Sequence, residues 1–269
     1  MKRMILTGML ALATGLLPVT AQQPPAAQQK GGGQQGGQPQ LIPGTKSVGE
    51  TQAVVALIQA AQSQNPDAVI KAADDLLTKY ADTTFKETAL LQEGEAYKSK
   101  KDNDKAQIYF ERALESNPKS YQAELMLGGQ LAQNTRENDL DKEEKLTKAT
   151  KYLNDSMANI QAATKPNPQL TDAQWEDQKK YILGEAHNDL GLIALIRKKY
   201  DVAATEFKTA AENDPQDAYL VREASALHSG GKEAEAVAIC DKVLANPQVH
   251  PQIKQVATQI RDAAAKAKK

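Results

Sequence analysis

The sequence predicts an all-α fold, a right-handed solenoid of antiparallel helix pairs, because one spacing of residues recurs along the chain. The pattern is Ala, an aromatic or apolar residue four positions later, a small or apolar residue three positions further, and Pro four or five positions beyond that. It occurs at Ala106, Phe110, Ala113 and Pro118, at Ala203, Phe207, Ala210 and Pro215, and more loosely at Ala236, Cys240, Val243 and Pro247. Recurrence at about 33 residues indicates stacked helical units.

The N-terminus has the pattern of a secretory signal peptide over residues 1–21. Lys2 and Arg3 precede a largely apolar stretch from Met4 to Val19, and small or modest side chains follow up to Ala21. This order predicts cleavage before Gln22 and a periplasmic or extracellular protein, with a bacterial source expected. The alternative is a retained N-terminal anchor, although a membrane-spanning helix needs about 20 apolar residues.

Residues 22–47 form a separate segment rich in Gln, Gly and Pro. Such a composition buries too little apolar surface to offset the entropy of ordering, so we predict a disordered linker. The whole chain carries 33 basic and 34 acidic residues. This balance provides no electrostatic basis for binding nucleic acid, and nothing after residue 21 is apolar enough to cross a membrane.

The repeated pattern resembles the tetratricopeptide repeat, whose unit of about 34 residues is an antiparallel helix pair. The clearest unit carries Leu90, Gly94 and Tyr97 ahead of Ala106, but Glu93 stands where the family usually has Leu. Other units begin near Gly184 and Asp217, and of two weaker ones, one precedes Glu87 and one begins near Tyr121. The resemblance implies a repeat domain of about five units over 48–249.

One stretch, 142–198, is too long for a regular unit and predicts an enlarged helical hairpin. Apolar residues recur at steps of three and four on both sides of a Pro-rich break, and Thr171 with Gln174 has the spacing of a capping box. The last segment, 250–269, predicts a C-terminal capping helix that covers the final repeat with Ile253, Val256 and Ile260.

The sequence offers no recognisable catalytic, cofactor or metal motif. His187, His228 and His250 are not spaced as metal ligands, and Cys240 occupies a core position of the repeat, where a small buried hydrophobe is expected. Acidic clusters such as Asp74-Asp75 leave a hydrolase open as an alternative. A small-molecule or glycan receptor is a further alternative, although aromatic platforms are sparse.

By the resemblance, the first helix of each unit lines a concave groove that binds a partner polypeptide. The implied function is a non-catalytic scaffold or adaptor of the cell envelope that holds a partner segment, extended or helical, with no cofactor and no metal. An apolar centre is expected at Leu125, Leu192 and Leu195. The full set of candidate protein-binding residues is Leu91, Lys98, Leu125, Asn188, Leu192, Leu195, Val221 and His228.

Overall fold

The structure is a computed structural model that describes residues 41–166 and 169–267. Within these ranges it is all-helical, with eleven helices that follow one another as antiparallel pairs. The helices are α1 Val48–Gln62, α2 Pro66–Lys79, α3 Lys86–Ser99, α4 Asn103–Ser116, α5 Tyr121–Asn134, α6 Lys142–Ala162, α7 Asp172–Ile196, α8 Tyr200–Asn213, α9 Asp217–Ser229, α10 Glu233–Leu244 and α11 Pro251–Ala267. The predicted fold class is confirmed.

The predicted signal peptide, 1–21, and the linker up to residue 40 lie outside the described residues. The end of the predicted linker, 41–47, contacts the first helix pair. Ile42 packs against the core between α1 and α2, the Thr84 hydroxyl donates to the Gly44 carbonyl at 3.0 Å, and Ser47 caps α1 by accepting from the Glu50 N–H at 3.1 Å. The folded part therefore includes residues 41–47.

The turn inside most helix pairs uses one residue with a left-handed backbone. Gln64, Lys101, Lys198 and Gly231 have φ values of 56°, 64°, 58° and 77° and follow α1, α3, α7 and α9. Such a residue ends a helix by letting the chain reverse within a few positions. The pair α5–α6 differs, because a seven-residue connection, 135–141, replaces the tight turn.

Glycine in the first helix lets a large side chain of the second helix approach the backbone. A Cβ at Gly94 would stand 2.5 Å from the Phe110 ring, and one at Gly191 would stand 2.5 Å from the Phe207 ring. Both phenylalanines are fully buried. The glycine and the aromatic ring are therefore complementary partners, which explains why their spacing recurs in the sequence.

The predicted enlarged hairpin consists of α6, with 21 residues, and α7, with 25. Thr171 and Gln174 form the predicted capping box at the start of α7. The extra turns carry their own core, because Ile160 and Trp175 are buried together with residues of α5. The predicted break Pro166–Pro168 falls in part on residues 167–168, which lie outside the described residues.

The last helix, α11, packs against α9 and α10 at the C-terminal end. Ile253, Ala257, Ile260 and Ala264 form its inner stripe, of which Ala257 and Ala264 are fully buried. Val256 is 42% exposed, so its predicted place on the covering face is wrong. The stripe is centred one residue later than expected because Ala257 lets the helix lie close to its neighbours.

Candidate functional site

The first helices α3, α5, α7 and α9 form one face of the stack, which we call the groove. Charged side chains of separate repeats influence one another across this face. Glu95 of α3 acts on the pKa of Tyr181 of α7, and Lys98 of α3 acts on that of Asp189 of α7, although α5 lies between them in chain order. The groove therefore brings charged side chains of separate repeats close together.

The eight predicted binding residues are not equally accessible. Leu91, Leu125, Asn188 and Val221 are buried, at 7%, 3%, 3% and 6% exposure. Leu192 and Leu195 are half-buried against the core of α7 to α10, Lys98 is exposed, and the His228 Nδ1 lies 2.6 Å from Glu233.

The predicted apolar centre is incomplete in the structure because Leu125 lies inside the core. Leu125 shares a buried cluster with Ile182 and Ala186 of α7. The enlarged α7 packs on α5, so Leu125 is enclosed between helices. Only Leu192 and Leu195 remain partly open to a partner. The repeat pattern could not predict the burial of Leu125, since the extra turns of α7 are outside that pattern.

A chain of polar side chains crosses three first helices in the groove. Gln133 of α5 donates from Nε2 to Asp189 Oδ1 of α7 at 3.1 Å, and the Asn188 amide donates to the same oxygen at 3.3 Å. Arg222 of α9 donates from its guanidinium to Asn188 Oδ1. Since buried polar groups are stabilised by such partners, this chain fixes three repeats relative to one another.

Gly129 of α5 makes room for Asp189. A Cβ at Gly129 would approach Asp189 Oδ2 more closely than van der Waals contact allows. The carboxylate therefore rests directly on the backbone of α5, one turn before Gln133. Oδ2 itself accepts no hydrogen bond within the described residues, whereas Oδ1 accepts two.

Burial raises the pKa of Asp189 to about 6. The hydrogen bond from Gln133 opposes the shift, Glu185 adds to it, and the positive charges of Lys98 and Arg222 oppose it. Neither cation forms an ion pair with Asp189 at contact distance in the described part of the chain. The centre of the groove thus holds a carboxylate whose charge is only partly compensated.

A second polar bridge lies beside the first, between α7 and the start of α9. The buried Tyr219 hydroxyl donates to Glu185 Oε1 at 2.5 Å and accepts from Gln216 Nε2 at 3.2 Å, and Gln216 also donates to Asp214. Burial, followed by the charge of Glu185, raises the pKa of Tyr219. This tyrosine is therefore a neutral donor at physiological pH.

The groove also contains charged groups that have no close partner of opposite sign. Glu95 is partly buried, which raises its pKa, and it forms neither a hydrogen bond nor an ion pair in the described ranges. Lys98 is likewise unpaired there, and the only hydrogen bond of Arg222 is to Asn188. Sequence reasoning proposed Lys98 and Asn188 but missed Arg222 and Asp189. The adjacent Asn188-Asp189 in a helix with apolar flanks was the available signal.

The candidate catalytic groups are engaged elsewhere. His187 Nδ1 lies 2.7 Å from Glu206, and Cys240 is buried, which raises the pKa of its thiol. No three His, Cys, Asp or Glu side chains gather to hold a metal within 41–166 and 169–267. Over the same ranges, no helix has the length and apolar character needed to cross a bilayer.

Two clefts lie away from the groove. One, of about 500 Å³, is lined by alanines of α1 and α2. The other, of about 410 Å³, lies along the polar side of α6 and includes Arg197. Neither contains the carboxylates Glu95, Glu185 or Asp189, so the acidic groups of the groove do not share a walled pocket with either cleft.

The stacked antiparallel pairs define a helical-repeat protein. Two segments match models described as tetratricopeptide repeat, residues 87–120 and 188–251. These two segments are therefore similar to tetratricopeptide repeats, and proteins built from such repeats are generally non-catalytic scaffolds for protein partners. No protein in a comparison with curated sequences matches this chain.

Solved structures of similar fold include three repeat proteins. PilW, described as a widely conserved type IV pilus biogenesis factor, is 17% identical with a TM-score of 0.57, over 82% of this chain and 91% of its own. PilF of Pseudomonas aeruginosa is 16% identical with a TM-score of 0.55, over 81% and 90%. A thermophilic TPR protein of Thermus thermophilus is 16% identical with a TM-score of 0.52, over 80% and 99%. At these identities the likeness concerns the fold alone.

Proposed function

We propose that this chain is an exported, non-catalytic adaptor of the cell envelope that binds a segment of a partner protein in the groove. The observation that carries the proposal is the polar chain from Gln133 through Asp189 and Asn188 to Arg222, flanked by charged groups without partners. A partner segment offers backbone donors and acceptors as well as charged side chains, and these complement such a surface.

The chemistry of the groove favours a polar or charged partner segment over a purely apolar one. Leu192 and Leu195 provide a small apolar contact, while Lys98 and Arg222 offer donors and Glu95 offers an acceptor. Charged groups around an apolar contact select the partner and its orientation, and the apolar contact contributes affinity. The alanine-lined cleft also has charged side chains, Lys71, Asp75 and Lys79, but these form ion pairs with one another.

Export is proposed from the sequence of residues 1–21. A basic start, an apolar stretch and small residues before Gln22 are the parts of a secretory signal. The mature chain would then join its repeats to the N-terminus through the Gln, Gly and Pro-rich segment. Fractionation of the native host, with mass spectrometry of the N-terminus, tests this. The expected mature N-terminus is Gln22, and a retained Met1 would contradict cleavage.

A capture experiment tests binding in the groove. The mature chain is used as bait in native envelope extract, with Lys98→Glu as the groove variant and Lys119→Glu as its matched control. Lys119 is exposed in the loop before α5 and forms no ion pair within the described ranges. We expect a partner that Lys98→Glu loses and Lys119→Glu retains. Equal capture by both variants would contradict the groove as the binding surface.

A further inference from the structure

Glu93 is a fully buried acid in the middle of α3 that has no hydrogen-bond partner. Its exposure is 0%, and neither carboxyl oxygen accepts or donates a hydrogen bond to any described residue. It stands where the repeat family usually has Leu. Burying an ionised carboxylate without partners costs several kcal/mol, so the environment favours the protonated acid.

The groups that face Glu93 come from the helices on both sides of α3. From α2, the negative charge of Asp74, an exposed residue, acts on Glu93. From α4, Tyr109 and Arg112 face the same acid. Tyr97 of α3 completes the surroundings by stacking on Tyr109, with ring centroids 5.2 Å apart and planes at 14°.

Arg112 does not serve as a counter-ion for Glu93. Its guanidinium lies 5.0 Å from the centre of the Tyr109 ring, and Lys105 lies 5.0 Å from the Tyr97 ring on the other side of the stack. No ion pair joins Arg112 to an acid in the described part of the chain. The nearby cations are thus held by aromatic faces.

Burial, the largest cause, raises the pKa of Glu93 to about 7. The neighbouring Asp74 adds to this shift, while Tyr109 and Arg112 oppose it. Protonated Glu93 has one O–H donor, and the Asp74 carboxylate is an acceptor on the neighbouring helix. A neutral Glu93 adds no second negative charge beside Asp74.

We propose that Glu93 is held as the neutral acid at the boundary between α2 and α3, and that loss of its proton to solvent loosens the packing of the pair α1–α2 on the rest of the stack. Deprotonation leaves two neighbouring carboxylates, one of them enclosed. The interface between the first helix pair, α1–α2, and the second, α3–α4, which we call the joint, is therefore sensitive to pH near neutrality.

The direction of the pH dependence follows from comparing the pKa of Glu93 in the folded and unfolded states. The pKa of Glu93 is higher in the folded protein than the usual value of 4.5, so the folded state holds the proton more tightly. The joint is strongest below the unfolded value and weakens as the pH rises through about 7.

The natural control is Glu223, which occupies the same repeat position in α9. It is 7% exposed, and burial also raises its pKa. Lys208 of α8 and Lys242 of α10 face it and oppose the shift, whereas Glu212 and Glu235 add to it. Glu223 thus has one cation and one acid on each neighbouring helix, whereas Glu93 has an acid on α2 and a cation on α4.

The direct test is a carbon-13 NMR titration of the Glu93 carboxyl group in the full mature chain. We expect a midpoint near 7, and Asp74→Asn should lower it because the neighbouring negative charge is removed. A midpoint near 4.5 in the unaltered protein would overturn the proposal. An unchanged midpoint in Asp74→Asn would contradict the effect of the Asp74 charge on Glu93.

Hydrogen exchange tests whether loss of the proton loosens the packing of the pair α1–α2. After correction for the intrinsic rate, amides of α1 and α2 should open on the order of 100-fold more often at pH 8.5 than at pH 5, as expected when folding raises the pKa of Glu93 from 4.5 to about 7. Glu93→Gln should abolish this dependence, and Glu223→Gln should keep it. The same dependence in Glu93→Gln would contradict the proposal. If that variant does not fold, the titration of the unaltered chain decides.

Discussion

Glu93 and Asp189 are enclosed carboxyl groups on first helices of the same stack, and burial raises the pKa of both. Their partners differ. Asp189 accepts two hydrogen bonds at Oδ1 and lies in the field of Lys98 and Arg222. Glu93 accepts none, and its closest charged neighbour on α2 is another acid. One carboxyl group belongs to a network across three repeats, and the other is isolated.

This difference teaches that burial raises the pKa of both acids, and that their hydrogen-bond partners decide their structural roles. Asp189 is 3% exposed and Glu93 is 0% exposed, so their burial is nearly equal. Donors fix the position of Asp189, whereas Glu93 has no hydrogen-bond partner in the described part of the chain and is stabilised by taking up a proton. Asp189 therefore links three repeats, and Glu93 gives the joint between the first two pairs a pH response.

The largest expected effect is that of Glu93→Leu, which restores the residue usual in the repeat family. At pH 8.5 the free energy of unfolding should rise by about 3 kcal/mol. This is the cost of ionising Glu93 in the folded protein, where its pKa is about 7 against a usual value of 4.5. Urea denaturation at pH 5 and pH 8.5 checks this. The gain should be much smaller at pH 5, and an equal gain at both values would contradict the titration of Glu93.

The next largest effect is expected at Gly129, which makes room for Asp189 against the backbone of α5. Gly129→Ala places a methyl group against Asp189 Oδ2, and such overpacking should lower the free energy of unfolding by about 1–3 kcal/mol. In the Asp189→Ala background, the same change should be neutral or stabilising, because Ala favours the helix and the clash is gone. Urea denaturation of the four proteins in this cycle measures the coupling. Additive effects would contradict contact between the two residues.

A smaller effect is expected from the cations around Asp189. Lys98→Gln and Arg222→Gln each remove a positive charge that lowers the pKa of this carboxyl group. Its NMR titration midpoint should rise in both variants, by less than one unit, and the effect of Lys98→Gln should weaken in high salt. A fall in the midpoint in either variant would contradict the placement of that cation.

The sequence predicts the fold because the elements that build it are local and repeated. The spacing from Ala203 to Pro215 corresponds to α8 and the turn after it, and Phe207 fills the space above Gly191 as the pattern requires. The departure at Glu93 is also visible in the sequence. Its consequence is not, because Asp74 and Arg112 reach it from other helices.

The groove is less predictable, since it depends on how separate repeats pack. Leu125 occupies a groove position by counting, yet the additional turns of α7 enclose it with Ile182. Asp189 lies one residue beyond a counted position, and its importance depends on Gly129 and Gln133 of α5. A repeat pattern specifies contacts within a unit, but contacts across units depend on the departures from that pattern.

Site-specific photo-crosslinking in the native host tests the central claim, that the groove binds a partner protein, most directly. In the groove, a photoreactive amino acid replaces Lys98 or the half-buried Ser225, which lies one turn after Val221 on α9. As controls, it replaces Ile108 or Val202, which are exposed on the second helices α4 and α8. We expect one partner to crosslink from Lys98 and from Ser225 but from neither control. Crosslinks from Ile108 or Val202 alone, or from none of the four positions, would contradict a function based on the groove.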